Sequence, residues 1–429
     1  MYSINNIEEL TPEVVQRFIT TFSTTEKPRL DKWYRYYIGD QDIIYKTVVD
    51  ESQPNNRIIT NFCKEIADSY NGYITGNQIS YNSDANIEPI TKVLDYNDSH
   101  SEDTNLLRDA LIFGVGYETM WIDKWGNQRF KKLDPRQTIP VYDNTIDGEL
   151  LAVIRFYTVY QPDGAYRKFV EIYDDKTVRT YHADGPLELI EERPHFYNQV
   201  PVIVFELNEE HRSIYDNIMS LQDAYNNILS CSGDTIEQFA DCYLILKNCI
   251  ADAEDLQAMK KNRVLLLDQD ADAEYLTKNI NNTNIDDMLT RISDSIYSKS
   301  KCPNFMDERF MSASGIAMRY KLSGFIFVCS NIMANMRKAL QKRIELITEI
   351  MKLTFTDVIW RDIDITFTPN LPVDMAEIIN EVNGLRGMVS QKTLLAQIPF
   401  VKDVDEEMKR VDEEREASLY DFELFDEEA

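Results

Sequence analysis

From Gly315 to about Phe355 apolar residues recur at helical spacing for about 40 residues, with Met333, Met336, Leu340, Ile344, Ile347 and Met351 on the later face. At 1.5 Å per residue such a helix is about 60 Å long, roughly three times the average in globular proteins. A rod of that length cannot be covered by one small domain, so it must leave its own core or be covered by something else. Gly324 lies inside it. A glycine there costs about 1 kcal/mol relative to alanine, so a kink is the natural expectation and a merely tolerated glycine the plain alternative.

Two further helical patterns precede it. Ile214, Ile218, Leu221, Tyr225, Ile228, Ser232, Ile236, Phe239 and Tyr243 mark one face of a helix about 45 Å long. Ile285, Met288, Leu289, Ile292 and Ile296 mark a second that can run back along it. Between them, Leu244 to Lys278 reads as a small α/β insert with an apolar strand, Val264 to Leu267, and an alternating acidic strand. Lys301 to Ser314, with Pro303, reads as a loop.

The first 205 residues read as an α+β domain. Thr11 precedes a helix with Pro12 at its first position, and a second helix runs from near Pro28 to a stop at Gly39. Ile58 to Tyr73, Ile87 to Tyr96 and Ser101 to Phe113 have helical periods. The period then shortens to that of strands at Val115–Ile122, Gln128–Leu133, Leu150–Tyr160, Tyr166–Tyr173, Thr177–His182 and Leu187–Glu192. Turn signals such as Pro162-Asp163-Gly164 separate several of these and suggest a meander. Ile363 to Phe367 reads as a short strand, and Val373 to Ala429 as helical and increasingly acidic.

Enzymatic motifs are missing. No glycine is followed by lysine, which excludes a Walker A loop. The single Gly-x-Gly, Gly114-Val115-Gly116, has Thr119 at the third glycine position and opens a strand rather than a helix. His100, His182, His195 and His211 are scattered and form no metalloprotease motif, and there is no Gly-x-Ser-x-Gly. Asp268, Asp270, Asp272 and Glu274 superficially resemble a calcium loop, but Ala273 and Asn279 occupy the required glycine and glutamate positions. A solvated or inter-subunit strand face is the better reading. No catalytic residue, metal site or cofactor is assigned.

The net charge of −28 repels phosphate and argues against tight wrapping of DNA or an anionic membrane. It is compatible with a wall along which DNA slides. Cys63, Cys231, Cys242, Cys249, Cys302 and Cys329 form no Cys-x-x-Cys pair and read as buried reduced thiols of an intracellular protein. No apolar run reaches the ~18 residues of a membrane span. The first ten residues lack the pattern of a signal peptide, so assembly in a cytoplasm is expected.

The order of these parts, together with local motifs, resembles the portal (head–tail connector) proteins of long-tailed bacteriophages. The motifs are Trp33-Tyr34-Arg35-Tyr36-Tyr37-Ile38-Gly39-Asp40, Pro54-Asn55-Asn56-Arg57-Ile58 through Ala67, and Gly72-Tyr73-Ile74-Thr75-Gly76. Asp223-Ala224-Tyr225-Asn226 with Glu237-Gln238-Phe239-Ala240-Asp241 resembles the start of that family's stem. Ser312-Ala313-Ser314-Gly315-Ile316-Ala317 with Lys321-Leu322 resembles the entry to its tunnel helix, and Ile398-Pro399-Phe400-Val401 with Glu406-Glu407 and Arg410 its crown. The resemblance implies a portal fold: an α+β wing over 1–205, stem helices over 206–243 and 283–300, and a small α/β clip over 244–282. A tunnel loop over 301–314, a kinked tunnel helix with its return to the wing over 315–372, and a helical crown with an acidic tail over 373–429 complete it. The crown is short for the family.

The resemblance also implies a ring, a dodecamer in this family, at one capsid vertex of the virion. Double-stranded DNA would pass through it during packaging and ejection. Its implied partners are the terminase large subunit, head-completion or adaptor proteins, and the major capsid and scaffolding proteins, with no membrane. Asn304, Asp307, Glu308 and Arg309 would face DNA in the tunnel loop, touching only its backbone. Without the resemblance they read as a solvated loop. Asp252, Glu254, Asp255, Lys260 and Lys261 would dock the motor from the clip, or simply form the polar face of a short helix. Arg337, Lys338, Lys342 and Arg343 form a basic cluster that either meets DNA or, preferably, pairs with acids of a neighbouring subunit. Two competing readings are another oligomeric virion structural protein, such as an adaptor or minor head protein, and a nucleic-acid enzyme with a diverged acidic site.

Overall fold

The computed structural model describes residues 2–47, 53–240, 243–247, 257, 272–276, 282–305, 307, 315–353, 359–370, 382–395, 398, 401, 404 and 407–413. The chain forms two units, Met1–Pro369 and Asn370–Ala429. The first is mixed helix and sheet, as its sequence periods indicate.

Strand β1 (Tyr2–Ile4) leads into α1 (Pro12–Thr25) and α2 (Lys27–Ile38). Gly39, at φ +89°, ends α2 in the left-handed conformation that glycine adopts without strain. Then come α3 (Phe62–Thr75), β2 (Ser80–Asn82), α4 (Glu88–Tyr96) and α5 (Ser99–Phe113). Gly114, at φ +78°, turns the chain into β3 (Val115–Ile122). A Cβ on Gly114 would sit 2.3 Å from the His211 carbonyl carbon, so both the turn and the close approach require glycine.

The strands β4 (Gln128–Leu133), β5 (Thr138–Asp143), β6 (Leu150–Tyr160), β7 (Tyr166–Tyr173), β8 (Thr177–His182), β9 (Glu188–Pro194) and β10 (Val202–Glu206) follow. They do not make the single meander that the sequence suggests. One sheet has six strands in the order β1-β5-β6-β7-β8-β9, and a separate one has three in the order β10-β3-β4. The turn at Pro135–Gln137, capped by the Asp134 carboxylate on the Arg136 N–H, breaks the run between β4 and β5. The far edge of β3 is taken by β10, antiparallel, with Val204 opposite Tyr117. Val115, Tyr117, Leu133, Val153, Tyr173, Val200 and Val202 form one buried cluster of strand and loop residues from this region. Strand β3 is buried at six successive positions, which is why it lacks the alternation of a one-sided strand.

Past Glu206 the chain turns helical. The helix expected from Ile214 begins only at α6 (Met219–Ala240), after a 3-10 turn at Asp216–Ile218. Residues just before it are tied elsewhere: the Ile214 N–H and the Ser213 hydroxyl both donate to the Leu111 carbonyl. Tyr243, expected on that helix, instead opens β11 (Tyr243–Lys247), antiparallel to β12 (Asp272–Leu276). Asp272 and Glu274 of the acidic alternation lie on β12, whereas Asp268, Asp270 and the expected strand Val264 to Leu267 lie outside the described residues. Next are α7 (Asn282–Ser300) and α8 (Gly315–Lys352), a helix of 38 residues assigned without interruption through Gly324. Strand β13 (Asp364–Thr366) pairs with β2 and closes the unit.

The basic cluster on α8 divides: Arg343 is buried, whereas Arg337 and Lys338 are exposed. Arg343 is 1% exposed and forks its Nε and one terminal nitrogen onto both oxygens of Glu118 at 2.7 Å, with the other on Asp103 at 2.5 Å. The Arg337 Nε–H donates to the Ile365 carbonyl, and Lys342 bonds Gln199 and Glu345. The acids that pair with Arg343 and Lys342 belong to the same chain, so the expected pairing across subunits is corrected for these two.

In the second unit, residues 382–385 are helical, α9 (Gln391–Leu395) follows, and residues 407–413 are helical. The Ser390 hydroxyl accepts the Thr393 N–H at the start of α9. Residues 371–381 and 414–429, part of the expected acidic helical tail, lie outside the described residues.

Candidate functional site

The candidate site is built on α6 and α7, two helices that leave and return to the same place. The Asn217 amide at the start of α6 donates to the Lys299 carbonyl at the end of α7, and the β11–β12 ladder joins their other ends. The helices are therefore antiparallel. One end carries the insert and the other delivers the chain into residues 301–307.

The beginning of α6 is held by the aromatic run on α2. The Trp33 indole N–H donates to Asp216 at 2.7 Å, and the Tyr36 hydroxyl to Asp223 at 2.7 Å. The Tyr215 hydroxyl returns a bond to the Trp33 carbonyl. Trp33, Tyr36 and Tyr215 are all essentially buried. Burial raises the Asp223 carboxyl above its ordinary range, against the opposing hydrogen bond from Tyr36.

The fully buried stripe of α6 is polar, and Leu221, Tyr225 and Ile228 of the apolar stripe beside it are half-buried. Gln222, Asn226 and Ser230 are fully buried while Ile236 is 62% exposed. The cause is an extended segment before α3, which starts four residues later than its period suggested. The N–H groups of Asn56, Ile58, Thr60 and Cys63 donate in turn to Asp234 (2.5 Å), Ser230 (3.0 Å), Asn226 (2.9 Å) and Gln222 (2.9 Å). Four helical residues rise about 6 Å and two extended residues advance about 6.6 Å, so every fourth side chain meets every second N–H from Asn56 to Thr60, and the last step, to Cys63, takes three residues as the chain enters α3. The Asn226 amide also donates to the Gln41 side chain, and Lys46 pairs with Asp234 at 3.0 Å. Partial burial works against the charged form of Asp234, but donors from Asn56 and Lys46 outweigh it and hold the carboxyl below its usual range. The spacing Gln222, Asn226, Ser230, Asp234 is visible in the sequence as a polar stripe on a long helix. It is the signal that the apolar reading passed over.

Helix α3 fastens both members of the pair. Phe62 packs edge-on against Tyr225 of α6 and Tyr297 of α7, with centroids 5.1 and 5.9 Å away. The Tyr297 hydroxyl donates to Glu65, and the Tyr70 hydroxyl to the Ser300 carbonyl, at 2.8 Å each. Lys301 then takes a left-handed φ of +58° and turns the chain away from α7. Phe325 of α8 packs against Tyr70, Tyr73 and Phe305, so the base of the loop is an aromatic cluster. Cys302 and Cys329 are buried, as expected for structural thiols, and burial pushes the Cys302 thiol up to about 12. Cys63 is likewise buried, while Cys231 is exposed, against expectation. Cys242 and Cys249 lie outside the described residues.

Of the loop residues singled out from sequence, Asn304 and Asp307 fall in one turn, where the Asp307 N–H donates to the Asn304 carbonyl at 3.2 Å. Both are half-buried. Glu308 and Arg309 lie outside the described residues, as do Asp252, Glu254, Asp255, Lys260 and Lys261 of the insert. Among the described residues there is no group of three or more His, Cys, Asp or Glu placed to hold a metal, and no helix long and apolar enough to cross a membrane.

The chain matches the family model "Phage portal protein, SPP1 Gp6-like" over residues 16–419. It is 25% identical over 415 residues to the portal protein of Clostridium phage phiCD119, covering 89% of this chain and 91% of that one. It is 24% identical over 453 residues to the portal protein of Bacillus phage SPP1, covering 96% of this chain and 88% of that one. A solved structure titled "Virion of native gene transfer agent (GTA) particle" shares 11% identity at a TM-score of 0.46, covering 78% of this chain and 88% of that one. The match over nearly the whole sequence takes in both the aromatic run that anchors α6 and the extended segment that lies along it, and the chain belongs to the phage portal protein family, structural proteins of the virion.

Proposed function

We propose that copies of this chain form a ring at one capsid vertex, a dodecamer as is typical of the family, and that double-stranded DNA enters and leaves through its centre. The observation that carries this reading is the family match over residues 16–419. The antiparallel pair α6–α7 agrees with it, because two long paired helices can serve as one subunit's share of a channel wall. In this reading residues 1–205 are the wing, 206–243 and 283–300 the stem, and 244–282 the clip. Residues 301–314 are the tunnel loop, 315–372 the tunnel helix and its return, and 373–429 the crown and acidic tail.

The clip, with Asp252, Glu254, Asp255, Lys260 and Lys261, receives the terminase large subunit and afterwards a head-completion or adaptor protein. The wing meets the major capsid and scaffolding proteins, and the ring is assembled in the host cytoplasm. Asn304, Asp307, Glu308 and Arg309 touch the DNA backbone in passing. The chain is not an enzyme in this reading, and a separate ATPase supplies the work. The net charge of −28 per subunit keeps phosphate from sticking to the wall.

The test is negative-stain electron microscopy of the purified protein together with its native mass. Rings with a central opening wide enough for a duplex are expected. A compact oligomer without an opening would move the assignment to a different virion structural protein.

A further inference from the structure

The chain has 73 acidic and 45 basic residues, yet one cleft in the first unit reverses the balance. It has a volume of about 550 Å³ and is lined by residues of β3, β4, β6, β7 and β8, the end of β9 and the segment that follows it. Four cations, Lys131, Lys132, Arg155 and Arg193, line it against one carboxylate, Glu171. Two of the cations are committed: Lys132 bonds the buried Asp109 at 2.7 Å, and Arg155 pairs with Glu171 at 3.0 Å. Arg193 makes only an exposed pair with Glu191 at 3.4 Å, and Lys131 makes no ion pair among the described residues. His195 adds no charge: burial lowers its pKa, and its ring is fixed between the Asp174 carbonyl and the Tyr197 N–H.

The rest of the lining is apolar. Trp121, Ile122 and Phe196 remain 40%, 38% and 56% exposed at its mouth, beside Val178 and Leu133. Pockets that hold ligands combine such walls with a few placed polar groups, and large exposed apolar side chains grouped in one place mark contact sites. The cleft is too small to admit a duplex and has no run of cations along which a phosphate backbone could lie.

We infer that this cleft is a docking site for an acidic peptide segment bearing aromatic or aliphatic side chains, contributed by another polypeptide. The apolar side chains would enter between Trp121 and Phe196, and the carboxylates would meet Lys131 and Arg193. The charge complementarity favours this place, since the net charge of −28 repels the same peptide from the chain as a whole.

The test uses the full chain and a short fluorescein-labelled peptide of alternating glutamate and phenylalanine, followed by fluorescence polarisation. A control peptide has every glutamate replaced by lysine. Saturable binding of the acidic peptide alone is expected, weakened about tenfold by the double change Lys131→Glu and Arg193→Glu, and about tenfold by Phe196→Ala. All three positions are at the surface, and circular dichroism checks that the variants remain folded. Failure of the acidic peptide to bind, or binding that neither variant weakens, overturns the proposal. Competition by oligothymidine would assign the cleft to single-stranded nucleic acid. Loss of binding once rings have formed would assign it to a neighbouring copy of this chain. Ring formation in electron micrographs is read separately, so the portal assignment stands or falls without this result.

Discussion

Arg343 shows how a single side chain is misread when its partners are far away in sequence. Four bases within seven residues, 337 to 343, resemble a charged face. The carboxylates that bury Arg343 come from positions 225 and 240 residues earlier, and no local pattern points to them. Burial raises both Asp103 and Glu118, against the stabilising charge of Arg343. Replacing Arg343 with Met leaves two carboxylates unpaired in the core. That variant should lose about 3–5 kcal/mol of stability by urea denaturation. A loss under 1 kcal/mol would mean that water or a proton already compensates them. Glu171 offers a pH test of the opposite sign. Burial disfavours its charge, but the hydroxyls of Tyr173 and Tyr157 and the Arg155 guanidinium outweigh burial and lower its pKa. A depressed folded pKa stabilises the protein above the unfolded value of about 4.3, and that contribution is lost as pH falls through the folded value. The stability gap between wild type and Glu171→Gln should therefore be constant above about pH 5 and close below about pH 4. A gap that stays constant to pH 3 would show that the charge of Glu171 contributes nothing.

At the scale of elements, long periodic helices and several strands are legible, among them β4, β8 and the short β13, whereas β1, β2 and β10 are not. Helices α1, α2, α7 and α8 lie within a few residues of their sequence periods, because caps such as Gly39 and stripes such as Met336, Leu340 and Ile347 are local. Strands β1, β2 and β10 have three to five residues, and their partners lie at 141–143, 364–366 and 115–119, so only the folded sheet defines them. Helix α6 is legible in its period, but its fully buried stripe is not, since the partner of that stripe is a backbone rather than a set of apolar side chains. This makes a clear prediction for Asn226→Ala. The change leaves the Thr60 N–H and the Gln41 carbonyl oxygen without their bonds in a buried site. A loss of about 2–6 kcal/mol is expected, at about 1–3 kcal/mol for each of the two unpaired groups. Amide hydrogen exchange should show faster exchange concentrated at residues 56–63 while α1 and α2 keep their protection. Uniform acceleration across the first unit would instead mean that the ladder holds the whole fold rather than the seat of α6.

At the scale of the whole molecule, charge sets a condition on assembly. Each chain carries −28, and from Asp403 to the end it has 13 acids against three bases. Bringing copies together concentrates like charge, and the repulsion between exposed groups extends over about 10 Å at 0.1 M salt and about 3 Å at 1 M. Arg343 and Lys342 on the long helix offer little compensation between copies, because they are paired within their own chain. If apolar contact and shape hold neighbouring copies together, raising the salt removes an opposing term and leaves the attraction in place. The fraction of protein in rings, measured by mass photometry at fixed concentration, should then rise between 0.05 and 0.5 M sodium chloride. A ring held by complementary ion pairs between neighbours would behave oppositely and dissociate with added salt. The sign of that dependence therefore separates two kinds of interface. The same screening lets DNA approach the wall more closely, so a channel that works by repelling phosphate should retain more duplex as salt rises, the reverse of a DNA-binding protein.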